Sequence, residues 1–353
     1  MIVYVLDSNY DRICVIDSIT SLIWTERYYT YGDCELYVPV TEAHLVALQY
    51  GNYLMRDEDD GSLMVIKKIE VKTDQEDGDY ITVTGQCLKS VVYQRIIWNV
   101  TNLTGNLEQC IGRLLRENLI SPNNRLRMVS GFEYRNELST GIDVSVQYTG
   151  KNLGECISDL CQQYGLGWNV RFDPDMKRMY LYLYQGVDRT SGQEGVPPVV
   201  FSNQNENLIR SSYLYDASNY KNVAKVAGEG EGISRRTIEI GTSSGLQRHE
   251  EYVDARDITS NDGQIDTSDY ERMLRERGEE KLAELRSVER FDGEVDTHHT
   301  YQFGTDYGMG DIVEVVNAYG VSASTRIIEM IQCVDESGIY AIPTFSDYII
   351  EED

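Results

Sequence analysis

Four histidines, seven cysteines and 58 acidic residues are the side chains of this 353-residue chain that could bind a metal or move a proton. Their spacing decides what they can do. Asp57-Glu58-Asp59-Asp60-Gly61 has the look of a calcium loop. With Gly61 as the sixth position, however, the first ligand would be Arg56, and the twelfth, where a bidentate Glu is needed, is Lys67. A charged hairpin turn is the expected form. His298-His299 near Asp296 could supply half of a metal site, yet adjacent residues on a strand point to opposite faces. His249-Glu250-Glu251 lacks the second histidine of a zinc-protease helix, and a structural or solvated role is expected for the histidines, which also include His44. Gly228-Glu-Gly-Glu-Gly232 is glycine-rich, but its acidic side chains repel phosphate and a flexible loop is expected. No cysteine stands in a papain-like context, no S-x-x-K motif stands out, and no G-x-S-x-G elbow is expected. A glycosidase needs only two carboxyls at the right distance, so 58 acidic residues neither support nor exclude one. The expectation is a protein without catalytic site, metal or cofactor.

Composition narrows the class further. The net charge of −26 is spread along the chain without a run of six like charges, which disfavours gripping a phosphate backbone. The first residues, Met1-Ile-Val-Tyr-Val-Leu-Asp7, carry no basic segment ahead of the apolar run, and no apolar run approaches the ~18 residues of a span. Synthesis in the cytoplasm without direct membrane insertion is therefore expected. The odd set Cys14, Cys34, Cys87, Cys110, Cys156, Cys161 and Cys333 has no C-x-x-C and reads as reduced core thiols. The 26 tyrosines against six phenylalanines suit strands and contact surfaces that are apolar on one side and wet on the other.

The elements are mainly strands. Apolar and β-branched runs at 2–6, 13–16, 35–38, 53–56, 63–71 and 80–84 alternate with turn signals at Asp60-Gly61 and Asp77-Gly78, and a short helix from Thr41 to Tyr50 follows Pro39. Two helices are predicted next. One carries Leu107, Ile111, Leu114 and Leu115 on a single face, the other Leu153, Cys156, Ile157, Leu160, Cys161 and Tyr164. Strands at 167–173 and 178–184 follow them. Further strands are expected at 199–202, 208–215 and 222–227, then a polar stretch, a charged helix near 268–286, and closing strands at 311–316, 326–334 and 339–343. The division predicted is a first β-barrel domain over 1–98 and an α/β inserted domain over 99–187. A second β-barrel domain is split between 188–230 and 296–353 by a helical inserted domain over 231–295. One internal match supports a duplication: Gly51-Asn-Tyr-Leu-Met55, Gly61, Val65-Ile-Lys-Lys-Ile-Glu-Val71 and Tyr80-Ile-Thr-Val83 lie beside Gly310-Asp-Ile-Val-Glu314, Gly320, Arg326-Ile-Ile-Glu-Met-Ile331 and Ile339-Tyr-Ala-Ile342.

The order of short runs over some 330 residues resembles the siphophage proteins of the baseplate or tail-tip hub, a family related in architecture to the hub of contractile tails. Trp24-x4-Tyr29-x2-Gly32-x3-Leu36 with Pro39 is similar to its opening signature, and Gly51 to Arg56, Val65-Ile66, Gly85 and Arg95-Ile96 to its first barrel. Gly167-Trp168 through Asp173, Gly186-Val-Asp188-Arg-Thr190, Phe201-Ser202, Asn207-Leu208 and Asn222-Val223 continue the likeness. So do Val226-Ala-Gly228, Arg235-Arg236, Arg248-x-Glu250, Asp306-Tyr307-x2-Gly310-Asp311-x-Val313 and Arg326-Ile327. The resemblance implies a homotrimeric structural ring in the virion, at the tail tip. Each chain would supply two tube-like antiparallel barrels, so that three chains meet a sixfold tail tube. It implies as neighbours a distal tail protein, a tape measure protein and a tail fibre or receptor-binding protein. DNA would pass through an acidic bore without specific binding. Many hubs carry a longer C-terminal region with wall-cleaving parts; this chain ends at Asp353, so no hydrolase activity is carried over. The alternative expectation is a carbohydrate or receptor-binding module of the tail tip, its tyrosines lining a groove.

Overall fold

A computed structural model describes residues 1–57, 61–74, 78–261, 263–295, 301–336 and 338–345. The fold is mainly β, with several sheets. The first unit contains β1 (Val3–Leu6), β2 (Arg12–Ile16), β3 (Ser21–Arg27), β4 (Asp33–Pro39), α1 (Glu42–Ala47), β5 (Tyr53–Arg56), β6 (Leu63–Asp74) and β7 (Gly78–Cys87). Alternation drives these strands: in β4, Cys34, Leu36 and Val38 point inward while Glu35 is exposed. Thr41 caps α1 by accepting from the His44 amide at 3.1 Å. The inward residues of the unit, from Val3 and Trp24 to Leu54, Ile66 and Val83, form one core.

The next segment holds β8 (Thr101–Asn106), α2 (Leu107–Leu115), β9 (Phe132–Tyr134), β10 (Asp143–Tyr148), α3 (Leu153–Gln163), β11 (Gly167–Asp173) and β12 (Arg178–Tyr184). The predicted apolar stripes of both helices are buried against these strands in one core that also takes in Leu6, Leu63 and Val65 of the first unit. Residues 116–120, read as the end of the first helix, widen into a π turn.

Beyond it come β13 (Val200–Ser202), β14 (Leu208–Asp216), β15 (Val223–Ala227), β16 (Thr237–Ile240), β17 (Glu250–Asp254), α4 (Thr267–Glu284), β18 (Val288–Val295), β19 (Ile312–Val316), β20 (Ser322–Asp335) and β21 (Gly338–Phe345). Two assignments differ from the boundaries expected at 231 and 295. Strand β15 pairs with β16 and β17 under α4, not with the second β unit. Strand β18 leaves the helical segment and pairs with β14 and β21. Being buried on both faces, β15 satisfies either sheet equally well by pattern.

The main sheet runs β14-β18-β21-β20-β3-β4-β7-β6-β5-β1-β2, with β19 on β20 and β13 on β19. Two units that the sequence suggests as separate barrels are thus consecutive stretches of one open sheet, and among the described residues no closed barrel forms. The two stretches repeat each other strand for strand. The first has order β3-β4-β7-β6-β5, the second β14-β18-β21-β20-β19. Gly51 donates to the Ile66 carbonyl and Ile66 to that of Asn52; Gly310 donates to Ile327 and Ile327 to Asp311 in the same way. Each long strand has a bulge one residue later, between Ile66 and Lys68 and between Ile327 and Glu329. Gly51 (φ 87°) and Gly310 (φ 89°) occupy matching left-handed positions.

Candidate functional site

The two repeats join where β3 pairs antiparallel with β20, from Arg27 opposite Glu329 to Leu22 opposite Val334. Arg27 Nε lies 2.6 Å from Glu329 Oε2, and its Nη1 reaches Asp33 Oδ1 at 3.1 Å. The Arg56 guanidinium stacks 4.7 Å from the Trp24 ring and donates to Gln332 across the seam.

Just past β3 the chain turns through Tyr28-Tyr29-Thr30, and its carbonyls would be buried without partners unless other elements supplied donors. Lys89, 2% exposed on the 3₁₀ segment Leu88–Gln94, donates to the carbonyls of Arg27 (2.6 Å), Tyr28 (3.1 Å) and Thr30 (3.0 Å). Burial pulls the Lys89 ammonium down to about 8. The Tyr29 carbonyl accepts from Trp168 Nε1 at 2.6 Å and from Ser158 Oγ at 2.7 Å. One turn is therefore held by side chains from two other parts of the chain.

Tyr28 is the centre of this junction. Its buried ring meets Tyr184 edge-on at 5.2 Å and has the Arg326 guanidinium 5.5 Å from its centroid. Its hydroxyl lies 3.2 Å from the Gly165 carbonyl and accepts from the Gly186 amide at 3.2 Å. The slot for the ring exists because its walls lack side chains: a Cβ on Gly167 or Gly310 would fall 2.2 or 2.1 Å from Tyr28 Cε2. Beside it Asp311, 4% exposed, accepts from the amides of Val187 and Gly308, both at 2.8 Å, and pairs with Arg189 Nε at 2.6 Å. Arg326 donates to the Gly310 carbonyl at 2.7 Å. Burial raises the pKa of Tyr28 and raises that of Tyr184 well above its ordinary value, so both stay neutral hydrogen-bonding groups.

Of the residues singled out by sequence, Trp168, Gly310, Asp311 and Arg326 converge here. Asp188 is adjacent, bridged to Ile312. Tyr307 is buried in the core of the second repeat, and the Asp306 carboxylate accepts from the Gln302 amide at 2.7 Å in the turn before it. Trp24 and Gly32 sit on the β3–β4 side of the seam, where a Cβ on Gly32 would lie 2.0 Å from the Thr25 carbonyl oxygen. Pro39, Gly51, Arg95 and Asn222 lie elsewhere. Pro39 accepts from His44 Nδ1, Gly51 starts the first meander, Arg95 ties to the Arg127 carbonyl, and Asn222 ties β15 to the loop carrying Ser243 and Gln247. Tyr28 and Lys89 were not singled out. A lysine inside Leu88-Lys-Ser-Val-Val92 was the available signal.

Among the described residues no cluster of three metal-ligating side chains occurs. His298, His299 and Asp296, like residues 58–60 of the acidic turn, lie outside the described residues. His249 precedes a strand, not a zinc-protease helix, and its ring packs against Tyr220. Against the expectation that no G-x-S-x-G elbow occurs, Gly241-Thr-Ser-Ser-Gly245 has that spacing. It is followed by a three-residue 3₁₀ turn, not a helix, and Ser243 Oγ accepts from Asn222 at 2.9 Å. An open cleft of about 320 Å³ beside α4 is lined by residues that pair with each other, Lys151 with Glu280 and Arg277 with Asp257. No helix among the described residues is long and apolar enough to cross a membrane.

The sequence matches the family model described as siphovirus ReqiPepy6 Gp37-like protein over residues 2–346. No curated protein matches the chain. Solved structures similar over nearly the whole length of both chains include three tail proteins. The 43 kDa tail protein of prophage MuSo2 from Shewanella oneidensis aligns with TM-score 0.62 at 11% identity, covering 98% of each chain. The tail protein from Neisseria meningitidis MC58 gives 0.60 at 11% identity, with 98% of this chain and 96% of that one covered. Prophage tail protein gp18 from Listeria monocytogenes EGD-e gives 0.56 at 14% identity, with coverages of 99% and 95%. At these identities the likeness is one of fold.

Proposed function

The chain belongs to the siphovirus ReqiPepy6 Gp37-like family, and from that premise we propose that it is a structural phage tail protein and forms the homotrimeric hub at the tail tip. The observation that carries this reading is the repeat: two meanders with the same strand order, the same glycine at the same φ and the same bulge. Three copies of such a chain present six equivalent meanders, which is what a sixfold tube requires of a threefold partner. In this reading the meanders are the tube-like units, completed by their neighbours in the ring. The segments 99–187 and about 217–287 stand outside as inserted domains, the second with limits moved to take in β15 and to release β18. The ring lies below the distal tail protein and the tape measure protein, with a fibre or receptor-binding protein on its other face. A net charge of −26 lets DNA pass without adhering. The junction around Tyr28 contributes stiffness, holding the two repeats at one fixed angle.

Of the tyrosines that a sugar-binding module could place in an open groove, Tyr28 is enclosed, and Tyr180, Tyr182 and Tyr184 are half-buried side by side along β12. Antibody against the protein, applied to intact virions, is expected to mark the tail end distant from the capsid. Marking along the tube or on the capsid would refute the hub assignment.

A further inference from the structure

The seam between the repeats also describes a second contact that the single chain leaves unmade. Superposing the repeats by register makes β6 equivalent to β20 and β14 equivalent to β3. Lys68 then corresponds to Glu329 and Val71 to Gln332, while Asp216 corresponds to Arg27 and Tyr213 to Trp24. In β20 the segment 329–334 pairs with β3; in β6 the equivalent segment 68–73 bonds to β7 on one side and, among the described residues, to no strand on the other. Strand β14 ends the sheet and, among the described residues, pairs only with β18. Each chain thus has one edge of each kind that its own seam uses.

We propose that residues 68–73 of β6 pair antiparallel with residues 211–216 of β14 in the next copy of this chain, with Lys68 opposite Asp216 and Val71 opposite Tyr213. This rests on the trimeric reading above and names the surfaces that make it. Two observations beyond the topology support it. The register carries the ion pair of the internal seam into the new one with its signs exchanged: Arg27 with Glu329 becomes Asp216 with Lys68. The residues brought opposite include exposed apolar ones: Val71 is 47%, Tyr213 40%, Leu214 49% and Tyr215 58% exposed, more than an edge strand leaves to water without cost. Among the described residues Lys68 forms an ion pair with Glu70 two residues away, a surface pair that exchanges readily. The contact is head-to-tail, so three copies close into a ring when the two kinds of seam together turn the chain by one third of a full revolution.

Opposed strand residues have Cα atoms ~4.5–5.5 Å apart, within the span a disulfide bridges. The full-length double variant Val71→Cys/Tyr213→Cys should therefore form covalent trimers on mild oxidation, and neither single variant should. The native thiols are mostly buried and are controlled for by the singles. In parallel, Lys68→Glu or Asp216→Lys alone should move the monomer–trimer midpoint about tenfold upward in concentration, and the double exchange should largely restore it. A stable trimer in which residues 71 and 213 do not cross-link and neither charge change matters would overturn this pairing and leave the trimeric hub standing. A chain that stays monomeric at every concentration, with no cross-link, would overturn both.

Discussion

Gly310→Ala is expected to destabilise the protein by about 3–5 kcal/mol, combining overpacking with backbone strain. The added Cβ would lie 2.1 Å from Tyr28 Cε2, in a slot already filled by a ring whose hydroxyl is fixed by Gly186 and by the carbonyl of Gly165. The backbone adds its own cost, since φ is 89°. The repeat supplies a control. Gly51 has the same conformation at the equivalent place, φ 87°, with open space where its Cβ would go. Gly51→Ala should therefore show only the backbone cost, about 1–2 kcal/mol. Urea midpoints of the two variants separate the contributions. Equal losses would mean that Tyr28 is free to move aside and that the junction is not the rigid element described.

The second large effect is expected at Lys89. Lys89→Met keeps much of the volume but withdraws the donor from three carbonyls, those of Arg27, Tyr28 and Thr30. Orphaning buried acceptors and emptying a charge site of this kind costs about 3–5 kcal/mol. The loss should be local before it is global. Amide exchange should speed first at residues 27–32 and along the β3–β20 seam, because Tyr28 donates its amide to Ile328 and anchors the end of that pairing. A variant as stable as the parent, with unchanged exchange at the seam, would contradict the role given to this lysine.

Much of this was legible in the chain itself, and what was missed has physical reasons. Strands with one wet face announce themselves by alternation, so β4, β11 and β12 stand where Cys34-x-Leu36-x-Val38 and the runs 167–173 and 178–184 put them. The meander repeat was visible because its turns need Gly51, Gly61, Gly310 and Gly320 with positive φ, a requirement written in residue type. Pairing partners are not written that way. Strand β15 is buried on both faces, and nothing in Val223-Ala-Lys-Val-Ala227 distinguishes the small sheet from the large one. Strand β18 is rich in charge, as an extension of a charged helix would be, and only its pairing with β14 reveals it. Strand β3 escaped notice although Leu22 and Trp24 alternate inward. The junction was half legible. Trp168, Gly310, Asp311 and Arg326 stood out in the resemblance to hub proteins, whereas Tyr28 and Lys89 act through side-chain hydrogen bonds to residues 59 to 158 positions away.

In the proposed hub one chain supplies two equivalent sixths of a ring. The most direct test is the molar mass of the purified full-length protein, measured by light scattering across a concentration series. A mass of about 120 kDa, three times the 40.3 kDa of one chain, is the expected result. A mass that stays near 40 kDa at every concentration, and does so even with the neighbouring tail protein added, would contradict it.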